Sequence, residues 1–143
     1  MTFVVDASVA LKWVLKEDDS DIADALLDER LIAPTWWRVE VANGLWKAAR
    51  KGLISTDEAD DRLAVLLDMS PVEDIDPADV VARATRLAHR LKHPVYDLLY
   101  LVAAIDAGSP LVTADVRFMR VLSGEPDLAA RLLTLEAWGG LKG

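Results

Sequence analysis

Cysteine is absent from these 143 residues, and histidine occurs only twice. The first absence removes disulfide frameworks and thiolate metal sites. The scarcity of histidine leaves zinc poorly supplied, so a bound metal is expected to be a hard, oxygen-preferring ion such as Mg²⁺ or Mn²⁺. No apolar run nears the roughly 20 residues that cross a bilayer. The opening Met1-Thr2-Phe3-Val4-Val5-Asp6 has no basic flank, and its apolar run is too short for a secretion signal. A cytoplasmic location is the resulting expectation. Positive charge is also scarce, with 16 Lys and Arg against 24 Asp and Glu and a net charge of −8. That argues against a general nucleic-acid coating protein, which binds through a basic surface. It does not exclude an enzyme acting on nucleic acid, because a cation held among acids offsets part of the charge locally.

What is present fits one globular domain over residues 1–143. The chain is 52% apolar and 28% charged, and a domain of this length buries roughly 70% of its unfolded surface. Phe3-Val4-Val5 reads as a short buried strand, followed by a helix from about Ser8 to Lys16 and a second from Ile22 to Arg30. Leu31-Ile32-Ala33, stopped by Pro34, reads as a strand. Trp36 to Lys51 is a long helix, with Gly52 suited to the left-handed position beyond it. Ser55-Thr56-Asp57-Glu58 matches a capping box that opens a helix to about Met69. Pro71 to Ile75 is a weaker strand. Asp76-Pro77 then opens a helix to about Lys92 with the apolar stripe Val80, Ala84, Leu87 and Leu91. Pro94 to Ala107 is a helix closed by Gly108 and Pro110. Leu111 to Thr113 is a strand, Val116 to Leu122 a short helix, and Arg131 to Leu135 a last strand. Short apolar strands alternating with helices give an α/β fold with a parallel sheet covered on both faces.

Four acids stand where local structure does not ask for them. Asp6 ends the first strand, Asp115 follows the strand at Leu111, and Asp97 opens the apolar helix from Leu98 to Ile105. Asp6 and Asp115 each have a bland reading as a helix cap, and Asp97 suits the helix dipole. Glu40 is harder to explain in that way. Its one-turn neighbours are Trp36, Trp37, Asn43 and Gly44, none of them a cation, and a half-buried unpaired glutamate is costly. Ligands of open parallel sheets bind beyond the carboxyl ends of the strands, where the strand order reverses. Asp6 and Asp115 belong to that edge, and Asp97 and Glu40 lie near helix starts that face it. Carboxylates brought together repel, and a divalent cation is the usual relief.

Other features carry less. His89 and His93 have i,i+4 spacing but no third ligand, so they read as cations near a helix C-terminus. Arg83, Arg86 and Arg90 form a basic stripe with His93 that reads as a solvated face. Lys47, two turns beyond Glu40, is either solvated or meets a phosphate. Trp36 and Trp37 cannot both point inward from one helix, so one of them is a candidate partner surface.

Asp6-Ala7-Ser8-Val9-Ala10-Leu11-Lys12-Trp13, Glu40-Val41-Ala42-Asn43-Gly44-Leu45-Trp46, Tyr96-Asp97-Leu98-Leu99-Tyr100 and Val112-Thr113-Ala114-Asp115 together resemble a PIN domain. The likeness is strongest to the VapC-type ribonuclease toxins of toxin–antitoxin pairs, and it covers nearly the whole chain. The resemblance implies a parallel sheet in the order 3-2-1-4-5, and one or two Mg²⁺ or Mn²⁺ ions held by Asp6, Glu40, Asp97 and Asp115. It places Ser8 and Thr113 at the family's hydroxyl positions beside the acids, and Asn43 at a frequent asparagine on the glutamate's helix. Family members often carry lysine or a further acid after the last aspartate. Val116-Arg117 stands there instead, which leaves a fifth ligand open. Implied partners are an RNA substrate of the tRNA or rRNA kind, an antitoxin protein and a second copy in a homodimer. Two alternatives remain: a PIN-domain RNA-processing nuclease without an antitoxin, and a non-catalytic binding module. A phosphatase using Asp6 as nucleophile is a poorer reading, because Ser8 stands where a second aspartate belongs.

Overall fold

The computed structural model describes residues 1–142. The strands are β1 (Thr2–Val5), β2 (Arg30–Pro34), β3 (Glu73–Ile75), β4 (Leu111–Thr113) and β5 (Leu132–Thr134). They form one all-parallel sheet in the order β3-β2-β1-β4-β5, the order expected from the resemblance. Phe3, Val4 and Val5 point alternately to the two faces of the pleat, yet each is no more than 3% exposed. Both faces at the centre of the sheet are therefore covered, as an apolar strand without alternation requires.

The helices are α1 (Ala7–Ala10), α2 (Ser20–Ala25), α3 (Trp37–Arg50), α4 (Thr56–Met69), α5 (Val81–Leu91), α6 (Val95–Ala107), α7 (Val116–Leu122), α8 (Pro126–Ala129) and α9 (Leu135–Lys142). Helix α6 packs on β1 and β2, and every residue from Leu98 to Ala104 is buried. Each leucine so placed contributes about 1.5–3 kcal/mol. Helix α4 opens with both hydrogen bonds of the Ser55–Glu58 capping box, and Gly52 follows α3 with a φ of 76°.

Three boundaries depart from the periodicity. The helix expected over 8–16 stops as α1 and a 3₁₀ turn at Leu11–Trp13. Lys12 is buried against Asp19 at 2.7 Å and Glu17 at 3.0 Å, and Trp13 Nε1 donates to the Ala23 carbonyl at 2.7 Å. These tertiary partners bend the segment onto α2. The second expected helix ends at Asp28 because Arg30 N donates to Met1 O and so joins β2 beside β1. The helix expected from Asp76 begins as a 3₁₀ turn at Pro77–Asp79, capped by Asp76 Oδ1, before α5 takes over.

Helices α8 and α9 have no counterpart in the sequence reading. Gly139-Gly140 lowers the helical signal of α9, but Trp138 is 2% exposed and anchors it, edge-on to Phe3. A side chain at Gly139 would come within 2.9 Å of Ile22, so the glycine permits the close approach of α9 to α2.

Candidate active site

The strand order reverses between β1 and β4. Val5 pairs with Val112, so the next residues along, Asp6 and Thr113, lie side by side at the carboxyl edge. Asp6 is 5% exposed. Its Oδ1 accepts from the Ser8 hydroxyl at 2.5 Å and from Val9 N at 3.3 Å, and its Oδ2 accepts from the fully buried Thr113 hydroxyl. Ser8 Oγ in turn accepts from Ala114 N, and Thr113 Oγ1 from Asp115 N. The two hydroxyls thus tie β1 to β4 through one carboxylate.

A pocket of about 580 Å³ opens over this edge. Asp6, Glu40, Asp97 and Asp115 all line it, together with Ser8, Asn43 and Lys47. Asn43 is exposed on α3, and Thr113 lies just behind Asp6. Gly44 on the same helix faces Leu11, where an added Cβ would stand 2.5 Å from a leucine methyl. The missing side chain lets the segment after Asp6 close against the helix that carries Glu40.

Each acid has its own donor. Glu40 Oε1 accepts from the Tyr100 hydroxyl at 2.6 Å. Asp97 Oδ2 lies 2.8 Å from His93 Nε2. Asp115 Oδ1 accepts from Arg117 N and Phe118 N as the cap of α7. The bland capping readings of Asp6 and Asp115 therefore hold, alongside their position on the pocket.

Burial pushes the Asp6 carboxyl up to about 6, against the pull of its three donors, and the charge of Asp97 adds to the rise. Burial likewise pushes Glu40 up to about 7; Tyr100 lowers it, and the charges of Asp97, Asp6 and Asp115 raise it. Asp97 is raised chiefly by burial and further by Asp115, with His93 opposing. These acids resist ionisation in one another's presence, which is the electrostatic condition a cation relieves. An all-oxygen donor set matches a hard cation. Among the described residues, however, no three histidine, cysteine, aspartate or glutamate side chains converge tightly enough to hold one ion as they stand. Their oxygens are turned to Ser8, Thr113, Tyr100, His93 and the α7 amides.

Tyr100 and His93 escaped the sequence reading as partners of the acids. Tyr100 lies three residues after Asp97 and so shares its helix face, which is the signal that was available. His93 was read with His89 at a helix end. Lys92 there is left-handed and turns His93 away from α5 onto Asp97 and the ring of Phe118, 5.5 Å away. Trp37 is 1% exposed, with Nε1 on Asp74 Oδ1 at 2.9 Å. Trp36 turns the other way and stacks on Tyr96 at the pocket, with its Nε1 buried and unpaired.

Fold and pocket define a class: a parallel α/β domain, covered on both faces, with acids lining a pocket where its strand order reverses. The family model for the PIN domain matches residues 3–122. The chain belongs to the PIN-domain family, in its VapC-type group. It is 36% identical over 120 residues to Ribonuclease VapC3 of Pyrobaculum aerophilum, spanning 80% of this chain and 90% of that protein. The crystal structure of PAE2754 from Pyrobaculum aerophilum shares the fold with a TM-score of 0.69 at 24% identity, covering 99% of this chain and 88% of that one.

Proposed function

We propose that this chain acts as a single PIN domain, the metal-dependent endoribonuclease toxin of a toxin–antitoxin pair, hydrolysing RNA phosphodiester bonds. The observation that carries the reading is the placement of Asp6, Glu40, Asp97 and Asp115 on one pocket at the strand-order reversal. The likeness to Ribonuclease VapC3 supports it. Asp6 and Asp97 are the ligands of choice for Mg²⁺ or Mn²⁺, with Glu40 and Asp115 as further ligands or as groups that orient water. A cation held there would supply the positive charge that eases deprotonation of the attacking water and offsets charge on the phosphate.

The chain's own groups do the rest. Glu40, whose carboxyl burial pushes up to about 7 before any cation binds, suits a base that takes the water's proton, and Tyr100 fixes which of its oxygens is engaged. Ser8 and Thr113 hold the Asp6 carboxylate in place, and Asn43 is an auxiliary amide on the wall. Lys47, on the same pocket, is placed to meet a phosphate oxygen. The proposed setting is the cytoplasm, and no described helix is long and apolar enough to cross a membrane. The proposed partners are tRNA or rRNA, an antitoxin that brings a basic side chain among the acids, and a second copy of the chain.

The test is incubation of total cellular RNA with the protein and Mg²⁺ or Mn²⁺, beside EDTA and the Asp6→Ala variant. Discrete fragments that require both the metal and Asp6 are expected. Cleavage by Asp6→Ala at the wild-type rate sinks the assignment. One observation favours a second reading, a non-catalytic binding module: each acid already has a hydrogen-bond donor of its own. Calorimetric titration with Mn²⁺ separates the two, since the module predicts no binding heat.

A further inference from the structure

We infer that Tyr96, backed by Trp36, is a stacking platform for one unpaired nucleobase next to the bond that is cut. This inference rests on the ribonuclease reading and adds a substrate subsite to it. The rings of Trp36 and Tyr96 lie 5.5 Å apart and within 12° of parallel. Both line the acid pocket, and Tyr96 remains 50% exposed although it is covered by the indole. The pair is built into the frame of the site. Tyr96 immediately precedes Asp97 in the first turn of α6, and Trp36 caps α3 one turn before Glu40. A base on the open part of Tyr96 would therefore lie beside the acids, with its phosphate over them.

The stack is not explained by hydrogen bonding, since it leaves the Trp36 Nε1 buried without a partner, an arrangement that ordinarily disfavours such a position. Trp36 packs half-buried against the edge of the core, whose centre Trp37 on the same helix supplies, and Tyr96 carries the stack outward to the exposed side. Affinity for RNA also has to come from somewhere other than bulk charge. The chain carries −8, and Lys47 is the one cation among the described residues lining the pocket. Stacking meets that need because every base has a π-face, and it demands a base free of its duplex. The consequence is a preference for unpaired nucleotides.

The experiment compares wild type with Tyr96→Ala, Tyr96→Leu and Tyr96→Phe. It measures the Kd of a short fluorescent single-stranded RNA pool of random sequence with metal chelated, and then KM and kcat for its cleavage with Mn²⁺. Tyr96→Ala and Tyr96→Leu are expected to raise Kd and KM roughly five- to a hundredfold with kcat little changed, and Tyr96→Phe to restore both. Leucine still covers the indole, so a loss in that variant reports stacking and not folding, and a duplex of the same pool should bind weakly to all four proteins. If wild type cleaves and Tyr96→Ala matches it in Kd and KM, the platform serves packing or a protein ligand, and the inference falls while the ribonuclease reading stands. If wild type binds with the expected Tyr96 dependence but never cleaves, the platform stands and the catalytic reading falls. If wild type neither binds nor cleaves, both fall.

Discussion

The Tyr100 hydroxyl donates to Glu40 Oε1 at 2.6 Å, joining the buried face of α6 to the helix that carries the glutamate. This is the only stabilising contact the structure records for the Glu40 carboxylate among the described residues, and it opposes burial and three neighbouring charges. Removing it in Tyr100→Phe withdraws a donor from the anion. The Glu40 carboxyl should then rise further above about 7, because a hydrogen bond to the ionised form is what holds it down. If Glu40 is the base, the acid limb of the cleavage profile moves to higher pH, and activity below neutrality falls more than activity above it. A pH–rate profile of the variant that overlays wild type would remove Glu40 from that role.

Asp6 makes a different prediction, about stability. Its folded value, about 6, lies above the ordinary 3.8, so the folded chain holds its proton longer than the unfolded one. The stability this provides is fully present below about pH 4 and is lost as pH rises through about 6. A shift of this size corresponds to about 1–3 kcal/mol. Asp6→Asn keeps the shape and removes the ionisation. In EDTA it should melt higher than wild type at pH 8, and the two should converge near pH 4, while RNA cleavage falls sharply. Denaturant melts at several pH values check this. A variant less stable than wild type at pH 8 would mean that the hydrogen bonds to the carboxylate outweigh its burial.

Cation binding should follow the same linkage in reverse. The acids must ionise to hold a metal, so affinity should rise as pH passes through the range near 6 to 7 where Asp6 and Glu40 lose their protons. Saturating Mn²⁺ at about a hundred times its Kd should add about 2.7 kcal/mol of stability. The side chains must also turn from their present donors to a common centre. Asp97→Asn should abolish the stabilisation at every pH. Thermal melts with and without Mn²⁺ read it directly, and an equal gain in Asp97→Asn would place the ion elsewhere.

The parallel strands and the placement of the acids at one edge were legible because both rest on local signals, whereas the strand order came only from the family resemblance. Apolar runs without alternation, each ended by an acid or a proline, name buried parallel strands, and an acid after such a strand falls at the ligand edge. Gly52 and the Ser55–Glu58 box marked their helix ends for the same reason, since their chemistry is local. What was not legible depends on distant partners. Lys12 bends the chain after α1 because Glu17 and Asp19 wait beyond the turn. Helix α9 forms across two glycines because Trp138 has a place to go. Glu40 was read as unpaired because its donor lies 60 residues away, hidden in a helix that looked purely apolar.

Gly44 and Leu11 test how tightly the two walls of the pocket are set. An added methyl at Gly44 would stand 2.5 Å and 2.6 Å from the two Leu11 methyls, inside any tolerable contact. Two effects then compete. Alanine in a helix interior favours folding by about 0.5–1 kcal/mol over glycine, and forced overlap disfavours it by about 1–3 kcal/mol. Leu11 is only partly buried, and its tip can swing, so the overlap should sit at the low end of that range. Gly44→Ala alone should therefore be near neutral, destabilising by no more than about 0.5 kcal/mol. In a Leu11→Ala background the overlap disappears and the same substitution should stabilise. A substitution more favourable by about 1 kcal/mol in the Leu11→Ala background, read from denaturant melts of the four proteins of a double-mutant cycle, is the signature of direct contact. Simple additivity would mean that the glycine is there for the helix and not for the closure of the segment after Asp6 onto Glu40.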